Sequence, residues 1–334
     1  MKNIVQASLI TTYRCNAKCT MCQTWNYPTK PSEELDIKYY EKIPPGLRIN
    51  ISGGEPMLRD DIEEIFKVLY KRSRLLELST NGYYTDKIVR LAERYPNILI
   101  RVSVEGLPCL NDKLRGMQNG FDHALKTILA LKQTKCKNIG FSVVIAPNNV
   151  SDLIQLYELC CYLNIEFGNS VIHNSWYFHK HDNVISSEGS QEIITEFIKR
   201  LLLSRRRGIK NKLKDYGRAY FNLSILRRMR ADAPGYRPIC GAGRDFFFVD
   251  PFGNVTPCNG SDEEWILGNI KFDPIENILN SEKAKETMHK IKSCKKECCF
   301  VVTERHDMVR RPLKPISWVL SNKVKLALNI PLNL

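Results

Sequence analysis

Along the first 175 residues of this 334-residue chain, apolar positions alternate between two periods. Short β-rich runs at Ile4–Ile10, Leu47–Ile51, Leu75–Ser79, Ile98–Val104, Ile139–Ile145 and Ile165–Ile172 predict six strands. Between them, Leu58, Ile62, Ile65, Phe66 and Leu69 fall on one helical face, as do Phe121, Ala124, Leu125 and Ile128. Ser151 is placed to cap a helix running to about Leu163. Strands and helices alternating at this spacing predict parallel strands joined by crossover helices. Six such units make an α/β sheet or an incomplete barrel, with the site in the loops at the carboxyl ends of the strands.

The pattern changes after about residue 185. A helical stretch over Gln191–Arg206 runs into the basic segment Arg205–Arg206–Arg207. Phe246–Val249, the turn Asp250–Pro251–Phe252–Gly253–Asn254 and a second short strand predict a hairpin. A helix is expected near Ser281–Ile291, capped by Ser281, with Cys294 just beyond it. In Pro315–Ile330, residues Ile316, Val319, Leu320, Val324, Ala327 and Leu328 form an apolar stripe flanked by Lys323 and Lys325. The stripe is expected to dock on its own domain; a partner protein or contact with an anionic membrane surface through this tail is the alternative.

Composition refines this picture at few points. Hydrophobic residues at 43% and charged residues at 26% are ordinary for a globular chain, long enough for a large domain and a smaller one. Fifty Lys and Arg against 36 Asp and Glu leave a net charge of +14. That excess favours an anionic partner, whether a phosphate-bearing substrate, a nucleic acid or an acidic lipid surface, although a solvated basic face explains it equally well. No segment approaches the apolar run needed to span a bilayer, and the amino-terminal stretch is too short and mixed to be a signal, so a cytoplasmic protein is expected. Twelve cysteines in a reducing compartment point to metal or catalysis rather than disulfides.

Three of those cysteines, spaced Cys15-x3-Cys19-x2-Cys22, follow the first predicted strand at its carboxyl end. Thiolates from one tight loop can bind three irons of a cubane and leave the fourth open to an exogenous chelator. A zinc site is the competing reading, but no fourth Cys or His follows closely.

The segment RCNAKCTMC resembles the cluster loop of the radical S-adenosylmethionine (SAM) superfamily, and further matches follow in order at the strand ends. Ser52–Gly53–Gly54–Glu55–Pro56 resembles the motif that meets the SAM methionine amino group. Glycines permit close backbone approach there, and Glu55 adds a negative acceptor. The resemblance places Ser79, Asn81, Ser103 and Glu105 against the ribose and methionine of SAM, with Glu105 where an Asp is commoner. It makes Arg115 a partner for the SAM carboxylate and Asn148 a further contact. It implies a partial (β/α)6 TIM-like barrel, a SAM-binding [4Fe–4S] cluster, and reductive cleavage of SAM to a 5′-deoxyadenosyl radical that abstracts hydrogen from substrate.

Five cysteines between Cys240 and Cys299 resemble the auxiliary-cluster extension of the SPASM/Twitch group. Cys240, Cys258, Cys294 and Cys298 are the expected ligands of an auxiliary [4Fe–4S] cluster, with Cys299 as rival for the last place and structural zinc as the alternative occupant. The count favours the shorter Twitch form, and four protein ligands favour an electron-accepting role. The implied organisation is a radical SAM core over 1–210, an auxiliary-cluster domain over 235–305 and an amphipathic tail over 306–334.

His173, Trp176 and Tyr177 follow the sixth strand and either face the substrate or simply pack. No catalytic residue is singled out. The substrate class stays open between a sugar- or alcohol-like small molecule and a peptide, in an oxidoreductase-type reaction supplied by an external flavodoxin- or ferredoxin-type electron donor. Because the chain starts almost at the first strand, the expectation tilts away from leader-dependent peptide maturases. A non-catalytic iron–sulfur electron carrier and an RNA-modifying enzyme are the competing readings, nucleic acid being the less favoured partner.

Overall fold

The computed structural model describes residues 4–185, 189–230, 240–260, 265–294 and 300–334. Strands β1 (Gln6–Ile10), β2 (Arg48–Ser52), β3 (Leu75–Thr80), β4 (Leu99–Ser103), β5 (Asn138–Ile145) and β6 (Glu166–Val171) lie side by side in chain order, every pair parallel. Between β1 and β2 the chain makes two 3-10 turns, Thr24–Asn26 and Pro31–Glu33, and a single α-helical turn, α1 (Ile37–Tyr40), so most of that connection is free to form a site. The later crossovers are α2 (Ile62–Arg72), α3 (Thr85–Arg94), α4 (Pro108–Arg115) with α5 (Gly120–Lys132), and α6 (Leu153–Leu163).

The period-2 pattern explains the register. Leu9, Ile51, Leu78, Ile100 and Ile139 are neighbours across five strands, all buried on one face of the sheet. A slip by one residue in any strand would turn this row inward and expose it to polar neighbours. The opposite face carries Asn50, Glu77, Ser79 and Arg101, half-buried and cross-bonded: Arg48 pairs with Glu77 at 2.5 Å and the Ser79 hydroxyl donates to the Asn50 amide oxygen at 3.1 Å. The curved sheet is therefore apolar toward its helices and polar within.

The carboxyl-terminal half continues the same sheet. After α7 (Ser190–Leu202) and α8 (Ile209–Met229), β7 (Phe246–Val249) pairs in parallel with β1, and β8 (Asn254–Thr256) and β9 (Gly268–Asn269) follow antiparallel. The expected hairpin is present. Its turn is built by Asp250, whose carboxylate accepts from the amides of Phe252 and Asn254, with Gly253 at φ +90°. Then come α9 (Ile275–Asn280), α10 (Glu282–Lys292), where the Ser281 hydroxyl caps Ala284 N as expected, α11 (Val301–Arg310) and α12 (Leu313–Ala327).

Three expectations fail. Ser151 caps nothing: it lies inside a short 3-10 turn, Val150–Asp152, and its hydroxyl bonds Asp152. The helix begun near Gln191 ends at Leu202 rather than Arg206, and the 21-residue α8, whose charged residues blur its apolar period, is not foreseen. Only Val319 of the tail stripe is buried. The helix docks through its other side, where Trp318 packs edge-on to Tyr220 at 5.6 Å and the Asn322 side chain is fully buried.

Candidate active site at the carboxyl ends of the strands

Residues following β1 form a loop with a polar base. Glu34 accepts from Thr12 Oγ1 (2.5 Å), Thr29 Oγ1 (2.7 Å) and, through both oxygens, from Arg14 (2.9 Å each). Arg59 donates to the carbonyls of Thr11 and Leu35. This knot fixes the backbone that enters Cys15.

Beyond it, Cys15 and Cys22 each lie close enough to Cys19 for the thiolates to repel. Burial pushes Cys15 up to about 12 and raises Cys19 and Cys22 as well, with Arg115 opposing the rise at all three. Cys22 Sγ donates to Thr24 Oγ1 at 3.1 Å, and the Lys18 and Thr20 amides donate to the carbonyls of Arg115 and Leu114. Those backbone bonds clamp the loop onto the end of α4. Among the described residues no three Cys, His, Asp or Glu side chains close around a single metal ion.

The strand ends bring the other expected residues to this loop. Gly53 and Gly54 pass so close to it that a Cβ on Gly54 would lie 2.2 Å from Arg14 O. Glu55 is fully buried, accepting from Thr80 Oγ1 (2.7 Å), Asn81 N (2.7 Å) and Met57 N (3.1 Å). Pro56 opens the short 3-10 turn Pro56–Leu58. The Asn81 side chain donates to Asn16 Oδ1, tying the end of β3 to the cysteine loop. Ser103 ends β4, half-buried.

Glu105 and Arg115 meet in a buried ion pair at 3.0 Å, and Val144 N donates to the second Glu105 oxygen at 2.8 Å. Burial raises the Glu105 carboxyl to about 7 despite the guanidinium. Arg115 Nε is buried with no hydrogen-bond partner, a polar atom left for a ligand. Asn148 lines a cavity of about 230 Å³ beside the loop, with Met21, Ile172 and Asn183. Its neighbour Asn149 is a structural residue that bonds Ala146 N and Val144 O.

In the extension, Cys240 is raised by burial and further by the neighbouring Cys294. Cys258 packs with Ala242, Phe246 and Ile291, and its Sγ accepts from Gly260 N at 3.2 Å. Cys298 and Cys299 lie outside the described residues.

The segment after β6 touches both cysteine sites, a role that sequence reasoning left undecided. Trp176 Nε1 donates to Cys258 O at 3.3 Å, and Tyr177 Oη donates to Gly53 O at 2.9 Å. The carbonyls of Tyr177 and Phe178 receive Thr24 Oγ1 and Gln23 N, next to Cys22. The His173 ring packs edge-on to Phe300 at 4.4 Å. Trp176 and Tyr177 are both buried.

Residues 9–160 match the sequence model of the radical SAM superfamily, and residues 240–300 match that of an iron–sulfur cluster-binding domain, SPASM. The chain belongs to the radical SAM superfamily, in the group that carries a SPASM-type extension. It is 33% identical to pre-heme d1 synthase of Dinoroseobacter shibae over 45% of this chain and 38% of that protein, well under half of the relative's length. It is 23% identical to the sporulation killing factor maturation protein SkfB of Bacillus subtilis over 87% of this chain and 68% of that one. The fold is like that of Streptococcus suis SuiB bound to S-adenosylmethionine, with a TM-score of 0.65, 15% identity, and coverage of 88% of this chain and 71% of the other.

Membership brings the SAM-binding [4Fe–4S] cluster, SAM and auxiliary iron–sulfur chemistry as this protein's cofactors. The residues present suit them. Half-buried thiols that resist deprotonation need a strongly positive partner, which cluster iron supplies. The glycines let the end of β2 pack directly on the backbone of the cysteine loop, and Arg115 holds out an unpaired donor.

Proposed function

We propose that Cys15, Cys19 and Cys22 hold the SAM cluster, and that Gly53, Gly54, Glu55, Pro56, Ser79, Asn81, Ser103, Glu105, Arg115 and Asn148 surround SAM. The auxiliary cluster falls to Cys240, Cys258, Cys294 and Cys298, with Cys299 as rival. When bound, these groups supply a 5′-deoxyadenosyl radical that takes a hydrogen atom from the substrate.

The chain's own work is positional. Arg115 presents Nε while Glu105 fixes its plane and balances its charge. Glu55 locks the glycine turn to β3, and Tyr177 holds the Gly53 carbonyl, whose second lone pair stays available to an ammonium donor. The observation that carries this reading is the meeting of three half-buried thiols with Arg115, Glu105 and Glu55 at the strand ends.

The substrate is a peptide, and the reaction oxidoreductase-type, fed by an external flavodoxin- or ferredoxin-type donor in the cytoplasm. Three comparisons support the peptide: similarity to the sporulation killing factor maturation protein runs through the barrel and the extension, similarity to pre-heme d1 synthase covers under half of the chain, and the fold is like that of SuiB bound to its precursor peptide SuiA. This reverses the tilt drawn from where the first strand begins. The test uses extracts of cells grown on deuterated nutrients, separated into peptide and small-molecule fractions and given to the reconstituted enzyme. Deuterium reaching 5′-deoxyadenosine from the peptide fraction is the expected result; transfer from the small-molecule fraction alone refutes the peptide.

A further inference from the structure

The outward face of α12 has no covering element among the described residues. Leu313, Ile316, Leu320, Val324 and Leu328 are each more than half exposed, spaced so as to share one side of the helix. The chain carries no acidic residue after Asp307, while Arg310, Arg311, Lys314, Lys323 and Lys325 follow. Arg310 and Arg311 pair with Asp245 and Asp307, but Lys314 and Lys325 form no ion pair among the described residues.

A second segment repeats this chemistry alongside. Leu203, Ile209 and Leu213 are more than half exposed where α7 turns into α8, and no acidic residue stands between Glu196 and Asp215. Arg205, Arg207, Lys210 and Lys212 are exposed in the same stretch and unpaired among the described residues. The two segments are joined by Lys323, whose ammonium donates to Leu202 O and Tyr216 Oη and lies 4.5 Å from the Tyr216 ring centre. Two stretches more than a hundred residues apart, in contact through Lys323, thus each carry exposed apolar residues and uncompensated cations.

We propose that this face seats the protein on an anionic lipid surface, with the leucines entering the headgroup boundary and the lysines and arginines meeting lipid phosphates. Exposed apolar area of this extent marks a macromolecular or membrane contact, and an apolar stripe with a basic border is the pattern of interfacial helices. A second copy of the chain would bring like charges face to face. A nucleic acid would satisfy the cations but leave the leucines in water. A bilayer surface takes both, and among the described residues no helix crosses it. The contact would be peripheral and weakened by salt.

The test is co-sedimentation of the reconstituted full chain with vesicles of phosphatidylcholine alone and of phosphatidylcholine mixed with phosphatidylglycerol. Binding to the mixed vesicles only, falling as salt rises, is expected. Leu320→Gln with Ile316→Gln should lower it about tenfold, and Lys210→Glu with Lys314→Glu by a similar factor. These sites are exposed, and an unchanged circular dichroism spectrum confirms folding. Failure to bind mixed vesicles, or binding untouched by both pairs of substitutions, overturns the proposal. So does concentration-dependent self-association, or capture of an acidic protein, that the same substitutions abolish in the absence of lipid binding.

Discussion

Arg115 shows how one side chain can serve both the fold and the chemistry. Its guanidinium neutralises Glu105 at 3.0 Å in a site closed to water, and its backbone carbonyl receives the cysteine loop through Lys18 N. Removing one partner of a buried pair strands the other, a loss larger than the pair's net worth. Arg115→Met should therefore cost about 3 kcal/mol in urea unfolding of the apoprotein, and adding Glu105→Gln should recover most of it. If the double variant is no more stable than the single, the pair is not the cause. That Cys15, Cys19, Glu55 and Arg115 come together was legible in the sequence, because each sits in a short motif that follows a predicted strand. Glu34 and Tyr177 were not, since their partners are distant: Tyr177 reaches Gly53 across 124 positions. No local pattern announces such a bond.

Among the elements, the segment after β6 and the strand β6 itself carry separate predictions. Tyr177→Phe removes the hydroxyl that holds Gly53 O and keeps the ring between Tyr13 and Phe178. A single net hydrogen bond predicts SAM binding weakened roughly three- to tenfold in equilibrium dialysis, with iron content unchanged. Equal affinity would reduce Tyr177 to packing. At the start of β6, Glu166 is bonded by Lys214 (2.5 Å) and Arg218 (2.7 Å) of α8. Burial alone would raise its carboxyl, but the Lys214 bond and the Arg218 charge outweigh that and hold it down at about 2. A carboxylate lowered in the fold stabilises above its ordinary value of about 4.5 and loses that contribution as pH falls toward 2. The loss should reach about 1–2 kcal/mol after solvent screening, and Glu166→Gln should flatten the slope of stability against pH across that window. An unchanged slope would refute the network's role.

The six strands were readable because apolar alternation and burial on one face are the same fact. The outcome for α12 was not. Its most apolar stripe faces out, because Trp318 and Lys323 find specific partners on α7 and α8 while Asn322 is buried, bonded to Trp318 O and Asn333 N. Periodicity locates a helix's apolar stripe and is silent about competition from such anchors.

For the whole molecule, the pairing of β7 with β1 makes the barrel and the extension one sheet, and Trp176 ties the extension to the segment after β6. Sequence pattern showed two separate cysteine groups but not this continuity, which depends on a strand pairing about 240 residues apart. The account's central claim is two clusters in one enzyme that cleaves SAM. Anaerobic reconstitution, iron and sulfide counting, and incubation with SAM and dithionite test it directly, with Cys19→Ala as control. About eight irons and 5′-deoxyadenosine are predicted for the wild-type chain, with about four irons and no 5′-deoxyadenosine for the variant. A fully loaded chain that forms none, or a Cys19→Ala chain that still forms it, would contradict the account.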